Sequence, residues 1–561
     1  MSQVMKKQSA HWVDLLIDEI HSWSQENHQD EIHVDDMKTP SGRVHTGSLR
    51  GVLLHDVVAK ALASSGKNNV VSTYVFNDLD PMDGLPSYLD NEQYQQYMGF
   101  PMCKIPAPDI SKSGIDPSGL SKEEKERFLS AKNFAEFYAF DFIDAFRKLG
   151  SSQDIVWSHQ LYESGEMNEY IKTALDNTDK IKKIYQEIAN YQLPENWFPF
   201  QVICPKCGKI GTTLVTDWDG EQVTFECQHN KVEWAKGCGY KGKTSPFNGT
   251  GKLLWKVDWP AHWANMGINV EGAGKDHTSA GGSRDMANAL IKQIFNKIVP
   301  FDIPYEWILV RGSKMSSSKG VGTSAREFVE LFPAEVGRFL FVNRHYNSVI
   351  DFDPSTDSIP DLYDQYDQGA RIFWKQEDGD ERIGRSFELS QLKEIPLPYF
   401  LPRFRDIVTW MQDPKIDLIN KFVEVKGSDL TNFELDILEE RKKCALVWLD
   451  RYAPEKYKLN IVSHTTDSFL RKYEPIILNQ DQLEFLQSLD QLIDSQDWQP
   501  EELQQKIYEL AKSTLGAKQG FQAIYLTMLG KTAGPKAAWL LLDIEPELRK
   551  KKIEEVIKHQ K

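Results

Sequence analysis

The 561-residue chain has no apolar run near the ~20 residues that a membrane-spanning helix requires. Its first residues are expected to form a helix rather than a secretory leader. Two lysines stand near the start, but Asp14, Asp18 and Glu19 interrupt the apolar residues that follow. Trp12, Leu15, Leu16, Ile20 and Trp23 instead have amphipathic-helix spacing, and a cytoplasmic protein is expected. Cysteine is scarce: six residues do not make a disulfide framework for a chain this long. Four of them fall between 204 and 238, while Cys103 and Cys444 stand alone and read as structural. Positive charge is also in deficit, with a net charge of −16. This argues against indiscriminate nucleic-acid binding but leaves local phosphate-binding patches open. No internal repeat of fixed period is present.

What is there reads as several domains at about 150 residues each. EIHVDD (residues 31–36) has strand character, and TPSG (39–42) makes a turn. From Ser48, the residues Leu49, Val52, Leu53, Val57, Ala61 and Leu62 fall on one helical face. NVVSTYVF (69–76) is the next strand. Strand, turn, helix, strand is a βαβ unit, with ligands expected at the carboxyl ends of a parallel sheet. GKLLWKVDWPAHW reads as a strand leading into an aromatic loop, SRDMANALIKQIFNKI as a helix and YEWILV as the last strand of a second half. The boundaries expected are a first half of a doubly wound, Rossmann-type domain at 1–90 and an insertion at 91–250, helical to about 200 and then zinc-ribbon-like at about 200–245. The second half follows at 251–324. A helical region at 325–385 and an all-α domain at 386–561 complete the chain.

Two segments suit a polyphosphate. In RVHTGSLRG, His45, Gly47 and Ser48 stand at the mouth of a helix, where free N–H groups and the helix dipole favour anions. In RGSKMSSSKG, Lys314 and Lys319 flank Ser316, Ser317 and Ser318, offering ammonium groups and hydroxyls to a leaving pyrophosphate. Alone, each is equally a strand–helix turn or a solvated loop. Paired as His-x-Gly after the first strand and Lys-Met-Ser-x-Ser after the last, they have the pattern of class I aminoacyl-tRNA synthetases. Ser48 stands where that motif ends in histidine, and Ser317 stands at its second lysine, with Lys319 two places on.

These departures, together with NDLDPMDGLP, WKVDWPAHW (Trp255–Trp263), GKDHTSAGGSRD (Gly274–Asp285), RFLFVNRHYNSVIDFD (Arg338–Asp353) and LGKTAGPKAAWLL (Leu529–Leu541), resemble class I lysyl-tRNA synthetases from about residue 31 to 541. The resemblance implies ATP- and Mg²⁺-dependent formation of lysyl-adenylate, then transfer of lysine to tRNA(Lys). It implies an α-helical anticodon-binding cage after a stem-contact region, and a monomer is expected. It places Pro40, Ser41, Gly42, His45, Gly47, Gly281, Gly282, Lys314, Met315, Ser316, Ser317, Ser318 and Lys319 at ATP. By position, Thr39, Trp255, His277 and Tyr305 line the lysine pocket, and Met37 replaces a glycine that many members have. A lysine ammonium suits aromatic faces and carboxylates, so Trp259 and Asp258 join the candidates; Asp276, with His277, can bond the α-ammonium or the ribose. The rivals are a class I ligase for glutamate or glutamine, and an RNA-binding paralogue without activation.

Asp78, Asp80 and Asp83 follow a strand end. They suit magnesium, or more commonly an Asx-rich turn. Cys204 and Cys207 form a C-x2-C knuckle, followed by Cys227 and Cys238 in a glycine-rich stretch at about 200–245. Four thiolates there suit a tetrahedral structural Zn²⁺, with His229 able to replace one of them.

Overall fold

The structure, a computed structural model, describes residues 10–310, 324–394, 397–413, 415–458, 478–529, 532 and 534–559. The Lys314–Lys319 segment therefore lies outside the described residues, as does part of Leu529–Leu541. The strands are β1 (Glu31–Lys38), β2 (Asn69–Phe76), β3 (Asp154–Trp157), β4 (Phe200–Val202), β5 (Thr213–Trp218), β6 (Val223–Cys227), β7 (Lys241–Thr244), β8 (Gly251–Leu253), β9 (Val270–Gly274), β10 (Phe301–Tyr305), β11 (Ile308–Val310) and β12 (Ile350–Phe352). Five of them form one parallel sheet, in the order β10–β9–β1–β2–β3. The order runs outward from β1 in both directions, so the switch in topology falls between β1 and β9. In open α/β sheets, that crevice at the carboxyl ends is where ligands bind.

Both faces of the sheet are covered, as parallel sheets require. β1 is buried over five consecutive residues, Ile32 to Asp36. On one face pack α1 (Trp12–Glu26) and α2 (Leu49–Ser65). Val13, Leu16 and Ile20 meet Leu54, Val58 and Leu62 over Ile32, Val34 and Val270. On the other face, α3 (Trp255–Met266) and α4 (Ser283–Gln293) bring Trp259, Trp263, Met286 and Leu290 against Ala273. Gly51 lets α2 sit close to the strands. A Cβ there would lie 2.6 Å from Asp36 Oδ2 and 2.7 Å from the Tyr305 hydroxyl.

Three expectations need correction. WKVDWPAHW is the helix α3, not a loop: Val257 and Asp258 N–H close its first turn on Leu254 O, and Gly267 ends it at φ 70°. Its apolar residues point both to the sheet and to neighbouring helices, which hides the 3.6-residue period. YEWILV is not one strand. Tyr305 ends β10 in the main sheet, whereas Ile308–Val310 pairs in parallel with β12 in a separate sheet. The 91–250 region is not wholly an insertion, because its β3 is the edge strand beside β2.

The chain divides into two compact units, one of residues 1–353 and 361–398 and one of 354–360 and 399–561. Among the described residues, the elements of the second unit are helices, including Asn432–Arg451, Gln480–Ile493, Pro500–Thr514 and Ala517–Leu529. Leu486, Leu489, Ile507, Ile524 and Leu541 form its main apolar core. Among the described residues, no helix is long and apolar enough to cross a membrane.

Candidate active site

The turn expected to face phosphate is built at the carboxyl end of β1. Ser41 N–H closes on Thr39 O at 3.0 Å, with Pro40 and Gly42 buried beside it. Thr46–Ser48 form a 3₁₀ turn that opens α2; Ser48 makes no capping hydrogen bond to that helix with its side chain. The turn is tied to the residues that follow the lysine-serine segment. His45 pairs with Ser324 in an isolated antiparallel bridge, and Ala325 N–H donates to Val44 O at 2.9 Å. Buried Thr46 donates its hydroxyl to Ser324 O at 3.2 Å. Arg43 donates to Ser324 Oγ and to Glu327 Oε1, each at 2.8 Å. Ser324 and Glu327 form the capping box of the helix Ala325–Val329, so the same two residues terminate that helix and receive Arg43. Arg326, in the same turn, is buried against Asp141 at 2.5 Å, Glu124 at 2.6 Å and Asp144 at 3.3 Å.

Above the switch point stand the residues expected at lysine. Thr39 donates its hydroxyl to Asp80 Oδ2 at 2.6 Å. Asp80 also pairs with Lys252, whose side chain is only 4% exposed. Lys252 in turn lies 2.9 Å from Asp258 Oδ2. Asp258 Oδ1 accepts the Tyr162 hydroxyl at 2.5 Å and sits 3.3 Å from His262 Nδ1. Burial alone would lower the Lys252 pKa, but Asp258 and Asp80 outweigh it and hold it above the ordinary range. Burial would raise Asp258, yet His262 and Lys252 bring it below the usual carboxylate range. Asp258 is thus buried with its charge matched internally, and it does not present a carboxylate to a ligand. Asp78 is also engaged, accepting His159 N–H at 2.9 Å and pairing with the His159 ring. With Asp78 and Asp80 both bonded to protein donors, two of the three strand-end carboxylates are not arranged as open magnesium ligands.

Trp255, 48% exposed, meets the exposed His277 edge-on at 6.1 Å between ring centroids, and Trp259 meets the same imidazole at 5.9 Å. Asp276 is exposed beside His277. Gly281, at φ 72°, donates its N–H to Asp285 Oδ2 at 2.8 Å, and Gly282 caps α4. Tyr305 does not share a face with Thr39. Alternation along the paired strands puts Tyr305 with Asp36 and Lys38, on the α2 side, where it packs edge-on against His55.

Sequence reasoning passed over the buried acids of the sheet. Asp35 and Asp36 on β1 and Glu271 on β9 are all buried. Trp259 Nε1 donates to Glu271 Oε1 at 2.9 Å, and Trp263 donates to Oε2. Burial pushes Asp36 up to about 7 and Glu271 up to about 7; burial and then the neighbouring Glu271 hold Asp35 well above the usual range. His55, lowered to about 4 by burial, is neutral: its Nδ1–H donates to Gly51 O at 2.7 Å, and Nε2 accepts Gly272 N–H at 2.7 Å. The signal was available. Two consecutive acids between Val34 and Met37 in the middle of a strand are unusual on any solvated reading.

In the inserted region, Cys204, Cys207, Cys227 and Cys238 bring four sulfurs within 4.8 Å of one another. Cys204–Cys238 and Cys207–Cys227 are each 3.6 Å apart. Tetrahedral zinc with Zn–S bonds of ~2.3 Å sets sulfurs about 3.8 Å apart, so the donor set fits such an ion. His229 is outside this cluster, its Nδ1–H donating to Gly237 O at 2.8 Å.

A parallel α/β sheet with a histidine–glycine turn at its switch point defines a nucleotide-binding α/β protein. The family profile described as "tRNA synthetases class I (K)" matches residues 10–115 and 126–393, and the chain belongs to this family. Among its relatives is the lysine–tRNA ligase of Archaeoglobus fulgidus, 31% identical over 92% of this chain and 94% of that one. The Methanosarcina barkeri lysine–tRNA ligase is 31% identical over 98% of both chains, and that of Methanocaldococcus jannaschii 30% over 94% and 96%. A solved glutamate tRNA ligase from Elizabethkingia meningosepticum overlaps 94% of this chain and 100% of its own at 12% identity, but its TM-score of 0.36 carries no argument.

Proposed function

We propose that this chain is a lysine–tRNA ligase, activating L-lysine with ATP and passing it to tRNA(Lys). The observation that carries the site assignment is the bridge between His45 and Ser324, with Arg43, Val44 and Thr46 bonded to the same short stretch. It ties the histidine–glycine turn to Ser324, five residues beyond Lys319 in the sequence.

In this reading the lysine carboxylate, already ionised, attacks the α-phosphorus of ATP. A carboxylate-oxygen bond to phosphorus forms, the bond to the β-phosphate oxygen breaks, and pyrophosphate leaves. No proton need move, so positioning and charge stabilisation supply the catalysis. His45 and the N-terminus of α2 stabilise negative charge on the phosphates, Gly47 admits the nucleotide close to the backbone, and Lys314 and Lys319 take the pyrophosphate. Mg²⁺ accompanies ATP. Thr39, Trp255 and His277 hold the amino acid above the switch point, with Gly281 and Gly282 toward adenine. A tRNA terminal hydroxyl then attacks the acyl carbon, the acyl–phosphate oxygen bond breaks, and AMP departs with the hydroxyl proton released to its phosphate or to solvent. The four cysteines would hold a structural Zn²⁺ that staples the inserted strands, and the helical second unit would receive the anticodon.

The test is amino-acid-dependent ATP–pyrophosphate exchange, with and without tRNA. Exchange is expected with lysine and not with glutamate. Absence of lysine-dependent exchange under both conditions would overturn the assignment.

A further inference from the structure

The α3-covered face of the sheet carries a charge deficit that the residues around it do not resolve. Strand register places Asp35 directly beside Thr73 on one side and Glu271 on the other. Asp35 has no exposed surface. One of its oxygens accepts the Thr73 hydroxyl, while Oδ2 has no hydrogen-bond partner among the described residues. Glu271 accepts two indole N–H groups, each oxygen retaining a second acceptor site. Neither carboxylate has an ion-pair partner among the described residues. The nearby guanidinium of Arg284 donates to the backbone carbonyls of Glu271 at 2.8 Å and Pro300 at 3.0 Å and lies 3.6 Å from Asp302; its charge favours the ionised Glu271 without outweighing burial, and its Nε is unpaired among the described residues. An unpaired buried acid is costly, so the arrangement calls for a cation or a retained proton.

A second orphan acceptor points the same way. Asn77 Oδ1 is buried without a partner, and its amide N–H donates to Met37 Sδ at 3.5 Å. Met37 follows Asp35 on the same face, and Thr39 follows Met37. Trp259, held by Glu271, forms one wall and touches His277. Along this face the flexible thioether of Met37 stands between Asp35 and the Thr39 end of β1, with Trp259 and His277 alongside. Asp80 and Asp258 are no substitute, because they already share Lys252.

We propose that Asp35 and Glu271 form the receptor for the ε-ammonium of the substrate lysine, with Met37 as the cover that moves aside. The ammonium supplies the missing charge and three donors, enough for Asp35 Oδ2, Glu271 and Asn77 Oδ1. This assignment rests on the lysine-activating function proposed above.

The test is ATP–pyrophosphate exchange by the full chain and its Asp35→Asn variant, which keeps the shape and removes the charge. The KM for lysine should rise at least about tenfold, the range for losing a charged hydrogen bond, while the KM for ATP holds and the melting temperature does not fall. Norleucine, which lacks the ε-ammonium, should be excluded by the parent, and the variant should discriminate against it at least about tenfold less well. If Asp35→Asn does not accumulate folded, Glu271→Gln carries the same expectation. A variant that binds lysine within twofold of the parent overturns the receptor and leaves a pair that merely shares a proton. A parent inactive with lysine instead overturns the function itself, so the two failures are distinguishable.

Discussion

Replacing Lys252 by methionine isolates the buried ion-pair network next to the mouth of the site. The ammonium is almost wholly buried and serves two carboxylates, Asp80 and Asp258, themselves 19% and 3% exposed. Lys252→Met keeps much of the stem and removes the charge. Both carboxylates then lose their shared counter-ion, although Asp258 retains Tyr162 and His262. Breaking one partner out of a buried pair costs about 3–5 kcal/mol, most of it the penalty of the stranded charge. The loss should appear as a lower urea midpoint with an unchanged slope. Adding Asp80→Asn removes the stranded carboxylate that lacks another charged partner, and the double variant should recover more than half of the loss. Thr39 donates to Asp80, so the single variant should also bind lysine more weakly. The reasoning fails if Lys252→Met costs less than about 1 kcal/mol, the range of an exposed pair, or if the second change adds to the damage instead of relieving it.

Elemental analysis should find about one zinc per chain, and none in a Cys204→Ser/Cys207→Ser double variant; metal retained in that variant would refute the four-sulfur assignment. Arg43→Ala removes the donor to Ser324 and Glu327 and should lower the exchange rate at least about tenfold, with little loss of stability because the pair is only partly buried. Asp36 sets a pH dependence of stability. Its folded pKa, about 7, exceeds the unfolded value near 3.8, so the folded state binds the extra proton between these limits and stability falls as pH rises through them. Asp36→Asn should flatten that dependence and stabilise the protein by up to about 4 kcal/mol at pH 8, read from chemical denaturation at pH 5 and pH 8; equal pH slopes in parent and variant would exclude a titrating Asp36.

The first βαβ unit was legible because local rules agreed. NVVSTYVF has the composition of a buried strand, and the face from Leu49 to Leu62 has helical period, bounded by Gly66 at φ 67°. The cysteine cluster was legible from its knuckle. The helix Trp255–Met266 was not, since aromatic residues and Pro260 weaken the local helix signal and packing on several sides supplies the stability. β3 was missed for a related reason: four residues following a long helical stretch carry too little pattern, and only pairing with β2 makes them a strand.

The sequence by itself determined that a histidine–glycine segment and a lysine–serine segment, each of residue types suited to phosphate, stand some 270 residues apart, because a chemical motif is a matter of residue type and order. The bridge between His45 and Ser324 is a tertiary fact. So is the placement of Tyr305 on the opposite face from Thr39. Strand register alone sets Asp35 beside Glu271, 236 positions later, and the burial that results turns two ordinary acids into an unpaired couple. Residue identity gives the groups available; register and burial decide which of them keep their charge, and next to what.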